Sequence, residues 1–179
     1  MKIETEVELI NEIINARRSS LGADYVPYRN HCYRVYNFCR ALSAPLAIDT
    51  EKLGIAAAFH DLGIWTADTL DYLAPSKRLA RDFLVQSGRP AMIAEIEAMI
   101  DNHHKLTGYR ENPAWLVESF RQADWLDISR GILHFNLPRS LISKVLAAFP
   151  NNGFHKRLVQ LTIQRIKTHP LDPLPMFKR

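Results

Sequence analysis

FHDLGIW, Phe59 to Trp65, follows directly on the small apolar run Ala56-Ala57-Ala58. A histidine and an aspartate stand side by side where the chain otherwise reads as core. His60 shares a helical face with Leu53, Ala56 and Ala57, so it points inward. Asp61 lies at the end of the same helix. Gly63 is expected to end that helix and swing the carboxylate round beside the imidazole. Two ligand-capable side chains in an interior form either a satisfied structural pair or part of a site that holds something.

Outward from this pair the chain reads as helices. Val7, Ile10, Ile13 and Ile14 recur at helical spacing over about 4–17, and a second helix runs from Pro27 to about Ser43. Thr50 is the expected cap of the third. An irregular stretch over about 62–75 follows, and Ser76 opens a fourth helix that ends near Gly88. Pro90, Pro113 and Pro138 open the next three, with the sixth reaching about Ile128, and a last helix runs from Phe154 to about Thr168. No window alternates as a strand would, and no repeat or linker divides the sequence. The expectation is one all-α domain over 1–179, a bundle of seven to eight helices. Its core covers 25–130, its C-terminal helices 138–168 and a proline-rich tail 169–179.

Composition sets the class. The chain has 179 residues, 47% hydrophobic and 23% charged, as an ordinary globular protein does. No apolar run approaches the roughly 20 residues of a membrane-spanning helix. The N-terminal MKIETEVELI lacks the basic-then-apolar order of a signal peptide, so a cytoplasmic protein is expected. Cys32 and Cys39 lie two helical turns apart, about 10 Å, too far for an unstrained disulfide, and read as reduced thiols. A net charge of +4 favours an anionic ligand. The basic residues are scattered and carry no nucleic-acid motif, so nucleic acid is not expected as a partner. The sequence leaves the oligomeric state open, a homo-oligomer included.

Three further places put polar residues on apolar faces. His31 lines up with Val35, Phe38 and Leu42. His103-His104 close the fifth helix behind Ile93, Ile96 and Ile100, and Asp124 follows Leu116, Val117 and Phe120 on the buried stripe of the sixth. An unpartnered buried carboxylate costs several kcal/mol. Imidazoles and carboxylates on the inner faces of four helices have a common explanation in a divalent metal, because nitrogen and carboxylate oxygen suit manganese, iron, cobalt, nickel or zinc. A hydrogen-bonded His–Asp network without metal is the competing account.

The order His31 … His60-Asp61 … Asp124, with spacings of 29 and 63 residues, resembles the signature of the HD-domain superfamily of metal-dependent phosphohydrolases. YRNHCYRVYNF, AAAFHDLGIW, IDNHHKL and ADWLDIS together look like a group of small bacterial members. The resemblance implies an all-helical fold around a buried metal site, with His31, His60, Asp61 and Asp124 holding one divalent transition metal. It implies hydrolysis of a small phosphate ester, in many members a nucleotide, by a metal-bound water. Two departures stand out. The lysine that many members carry three residues after the paired aspartate is replaced by Ile64. Histidine occurs between the pair and the last aspartate at one place only, His103-His104, which argues against a full second metal site.

Within that reading His103 or His104 is the candidate proton carrier, with Asp68 as a second candidate. Arg34, Lys77, Arg78 and Lys105 are candidate phosphate contacts, and Trp65 and Tyr72 a candidate apolar wall. Asp127, one turn beyond Asp124, is an acceptor that orients a histidine ligand, a helix cap, or a solvated residue. Two other functions are compatible with the fold: a di-iron oxygenase, suggested by the extra histidines, and a module that binds a nucleotide without turnover.

Overall fold

The computed structural model describes residues 2–43 and 48–177. The last two residues of the tail lie outside these. Among the described residues every regular element is helical, and eight α-helices are eight residues or longer. They are α1 (Glu8–Asn15), α3 (Tyr25–Leu42), α4 (Thr50–Phe59), α6 (Leu73–Gln86), α7 (Ile93–Asn102), α8 (Val117–Ile128), α9 (Arg139–Ala148) and α10 (Phe154–Thr168). Two single α-turns, α2 (Arg18–Leu21) and α5 (Gly63–Thr66), and two 3-10 turns, Gly22–Asp24 and Pro90–Met92, complete the order. The all-α bundle read from the sequence is the fold.

α3 is the central helix. It packs along α8 and also against α1, α4 and α9, and α4 and α8 in turn pack on α7. Every residue from Asn30 to Cys39 is buried, which leaves α3 no solvent face over those turns. Such a helix needs little amphipathic contrast, because neighbours cover it on all sides. Ile10, Ile13 and Ile14 of α1 close one end of the core.

Several boundaries differ from the periodicity. The cap of α4 is Asp49, one residue before Thr50, and its side chain accepts the Lys52 N–H at 3.0 Å. α6 begins at Leu73, three residues before Ser76, and α8 begins four residues after Pro113. Gly63 does not end α4, which stops at Phe59; it opens α5 instead. Its lack of a side chain is needed for a close approach. A Cβ there would sit 2.5 Å from the Tyr72 carbonyl oxygen and 2.9 Å from Ser76 Oγ. The Ser76 hydroxyl accepts the Gly63 N–H at 2.9 Å, which ties α5 to α6. The expected irregular stretch is therefore a one-turn helix, a bend and the first turn of α6.

Candidate metal centre

Four helices deliver the polar side chains to one place. His31 sits in the second turn of α3, His60-Asp61 directly after α4, His103-His104 directly after α7, and Asp124 midway along α8. All six side chains are buried.

His31 Nε2 lies 2.9 Å from His60 Nε2. It is 3.5 Å from both Asp61 Oδ2 and Asp124 Oδ1. His60 Nε2 is 3.5 Å and 3.7 Å from the same two oxygens. Beyond the carboxylates, His103 Nε2 lies 3.2 Å from Asp61 Oδ1, and His104 Nδ1 lies 3.3 Å from Asp124 Oδ2. Asp61 and Asp124 thus stand between two pairs of imidazoles.

The donor set can be tested from the hydrogens it lacks. His60 Nδ1 faces the Ala57 carbonyl at 2.9 Å, and His103 Nδ1 faces the Ile100 carbonyl at 2.7 Å. A carbonyl only accepts, so each Nδ1 carries the hydrogen, and each neutral ring turns a bare Nε2 inward. His31 likewise donates Nδ1–H to Asp127 Oδ2 at 2.7 Å. Two bare nitrogens 2.9 Å apart repel unless a cation or proton lies between them. Both carboxylate oxygens of Asp124, and Nδ1 of His104, are buried with no hydrogen-bond partner. Such orphaned acceptors are rare in folded proteins and call for an ion or similar partner. A purely hydrogen-bonded network can pair His104 Nδ1–H with Asp124 Oδ2 at 3.3 Å but leaves Asp124 Oδ1 without a partner. The residues therefore fit a divalent transition metal. Two groups offer three ligand atoms within 4.8 Å of one another: His31, His60 and Asp61, and Asp61, His103 and His104. The second group has a metal-binding geometry that one histidine position in the sequence did not suggest.

The charges of the cluster also act on its own titrating groups. Burial works against charge on His31, yet the hydrogen bonds to Asp127 and Asp61 outweigh it and raise its pKa to about 9. Burial and the neighbouring His103 push His104 down to about 3, so it is neutral at physiological pH. Burial would raise Asp61, but His60, His103 and His31 hold it well below the usual carboxylate range. Burial pushes the Tyr72 phenol up, and the fields of Asp61 and Asp124 add to this.

Asp127 resolves to one of its three readings. It lies at the back of the centre, accepting from His31 and from Arg34, whose Nε donates to Oδ1 at 2.5 Å and Nη2 to Oδ2 at 2.9 Å. Arg34 also donates to the Phe149 carbonyl at 3.0 Å. It is buried and committed to these partners, not open to a phosphate. Lys77 pairs with Asp101 at 2.6 Å, and Arg78 is exposed on α6. Lys105 is half-buried, and its carbonyl accepts from Arg121 and Trp125. Asp68 is exposed in the bend after α5, at φ +48, against a cleft that includes Leu161 and Arg165 of α10. None of the six cluster residues lines that cleft. Trp65 donates to Asp24 at 2.9 Å and packs on Tyr28.

Tyr72 is more than a wall. Its hydroxyl lies 2.7 Å from His104 Nε2 and 3.2 Å from His103 Nε2, bridging the tandem histidines. Nothing in its spacing announces this; only the fold of α5 onto α6 brings it there. A cavity of about 270 Å³ opens on Asp61, Tyr72 and His104. Its far walls are α10 and the tail, which folds back over the helices and stacks Phe177 on Trp125.

Residues 28–129, more than half of the chain, match the family model of the HD domain. No curated protein and no solved structure matches the chain.

Proposed function

The chain belongs to the HD domain family, and from that premise we propose that it is a metal-dependent phosphohydrolase acting on a small phosphate ester. The observation that carries this reading is the meeting of His31, His60 and Asp61 with Asp124, whose two oxygens are buried without a hydrogen-bond partner. These four would hold one divalent transition metal. When bound, such an ion lowers the pKa of water and offsets charge on a phosphoryl oxygen.

The chain's own residues supply the rest. Asp127 fixes the ring of His31 and keeps its Nε2 turned inward. His104 lines the cavity and is the proton carrier of this reading. Tyr72 holds His104 in place through its hydroxyl. The burial of the centre strengthens each of these interactions.

The test is phosphate release from a panel of phosphomonoesters and phosphodiesters with added manganese, iron, cobalt, nickel or zinc. Release that requires metal and is lost in Asp61→Ala is the expected result. Full activity in Asp61→Ala overturns the reading.

One observation favours a second function. Asp61 also belongs to the group with His103 and His104, the arrangement two ions would share. Two irons per chain and oxygen consumption with a substrate would make the protein a di-iron oxygenase of the HD-like type.

A further inference from the structure

The cavity beside the centre has a composition that phosphate chemistry alone does not require. It reaches Asp61 and His104 at one end. Its remaining wall is almost wholly apolar and includes Ile64, Leu158, Ile163, Leu174, Met176 and Phe177. Among the described residues no lysine or arginine lines it.

Two features say what this wall is for. On α10, Val159 and Ile163 stand one turn apart at the rim, 57% and 49% exposed, so the rim keeps apolar surface in water. That exposure is unfavourable at roughly 25 cal/mol per Å² of apolar surface, and a ligand covering it recovers the difference. The cavity also reaches Asp61, one of the four candidate ligands, and His104, so a substrate held there has this wall beside its non-reacting part. At about 270 Å³ it is at the small end for ligand sites, which run from roughly 300 Å³ upward.

We propose that the pocket between α10 and the tail binds an uncharged, apolar organic group of the substrate, such as an aryl or short alkyl group, in preference to a nucleoside. The proposal rests on the reading of the centre as a phosphohydrolase site. A ribose would set its hydroxyls against Ile64, Leu158 and Met176, side chains that offer them no hydrogen bond. A second phosphate would meet no cation in the described wall. An aryl or alkyl group loses nothing there and covers Val159 and Ile163.

The experiment uses the full chain loaded with manganese. Benzyl phosphate, butyl phosphate, ribose 5-phosphate and adenosine monophosphate are compared for phosphate release. Benzyl alcohol and ribose, which carry no phosphate, are compared for binding by saturation-transfer NMR. The expected results are a kcat/KM at least tenfold higher for the benzyl and butyl esters, and a binding signal for benzyl alcohol alone. Ile163→Lys places a charge on a half-exposed position and should fold, as circular dichroism will show. It is expected to raise KM for benzyl phosphate at least tenfold and to abolish the benzyl alcohol signal. Phe177→Ala is the second variant and is expected to act in the same direction. Equal turnover of adenosine monophosphate and benzyl phosphate, with Ile163→Lys and Phe177→Ala changing neither, overturns the proposal while the phosphohydrolase reading stands. Benzyl alcohol bound and displaced by Ile163→Lys, with no phosphate released from any ester, upholds the apolar pocket and removes the phosphohydrolase reading.

Discussion

His31 donates its Nδ1–H to Asp127 Oδ2 at 2.7 Å, across 96 positions of sequence, and the same carboxylate is gripped from behind by Arg34. A candidate ligand imidazole is thereby oriented by a carboxylate that is itself fixed by a buried guanidinium. Such outer partners set ring orientation and raise the basicity of the facing nitrogen.

Asp127→Asn is therefore expected to do two things. It leaves the Arg34 guanidinium buried without its counter-charge, which should lower stability by about 3 kcal/mol in urea unfolding. It should also weaken metal binding roughly tenfold to a hundredfold in a metal titration. Unchanged metal affinity in a folded Asp127→Asn protein would mean that His31 needs no such orientation.

Metal binding should stabilise the fold, since the four proposed ligands come from three separate helices, α3, α4 and α8. At a hundred times the dissociation constant the gain is about 2.7 kcal/mol, visible as a rise in Tm on adding manganese or iron. Asp61→Ala removes the carboxylate common to both ligand groups and should abolish the shift. His104→Ala keeps His31, His60 and Asp61, so it should retain a bound ion yet lose about a hundredfold in turnover. Elemental mass spectrometry of each variant gives the stoichiometry.

Two glycines should respond in opposite directions to the same substitution. Gly63→Ala forces a Cβ to within 2.5 Å of the Tyr72 carbonyl, and should lower stability by about 1–3 kcal/mol and reduce turnover as Tyr72 shifts. Gly54→Ala, inside α4, meets the side chains of Val7 at 3.5 Å and of Ile10 and Leu9 at 3.9 Å, all ordinary van der Waals contacts, and should raise stability by about 0.5–1 kcal/mol. Urea unfolding of the two variants beside wild type checks both signs.

Both cysteines are buried free thiols on α3. Burial pushes Cys39 up to about 12 and Cys32 well above its usual range, so neither forms thiolate near neutral pH. Iodoacetamide at pH 8 is expected to label neither in the folded protein and both in denaturant, as mass spectrometry will read.

Much of this was legible in the chain. Helical periodicity placed eight helices, because apolar residues at three- and four-residue spacing leave few other ways to bury them. The helical faces singled out His31, His60-Asp61, His103-His104 and Asp124, and the order His31 … His60-Asp61 … Asp124 tied the chain to a family whose model spans 28–129. Helix ends were less legible, since caps such as Asp49 and early starts such as Leu73 depend on local hydrogen bonds and packing. Gly63 was read as a stop because glycine favours that position. Its real constraint is the backbone of Tyr72, which periodicity does not encode.

The sequence by itself determined the all-helical class and the types of ligand, because periodicity and side-chain chemistry are local properties. Only the tertiary structure decided that both tandem histidines turn inward, that Tyr72 bridges them, and that Arg34 serves Asp127 and not a substrate. It alone also brought α10 and the tail over the centre to form an apolar pocket. Each of these depends on distances between residues far apart in the chain, which are set by how helices pack and not by what any one of them contains.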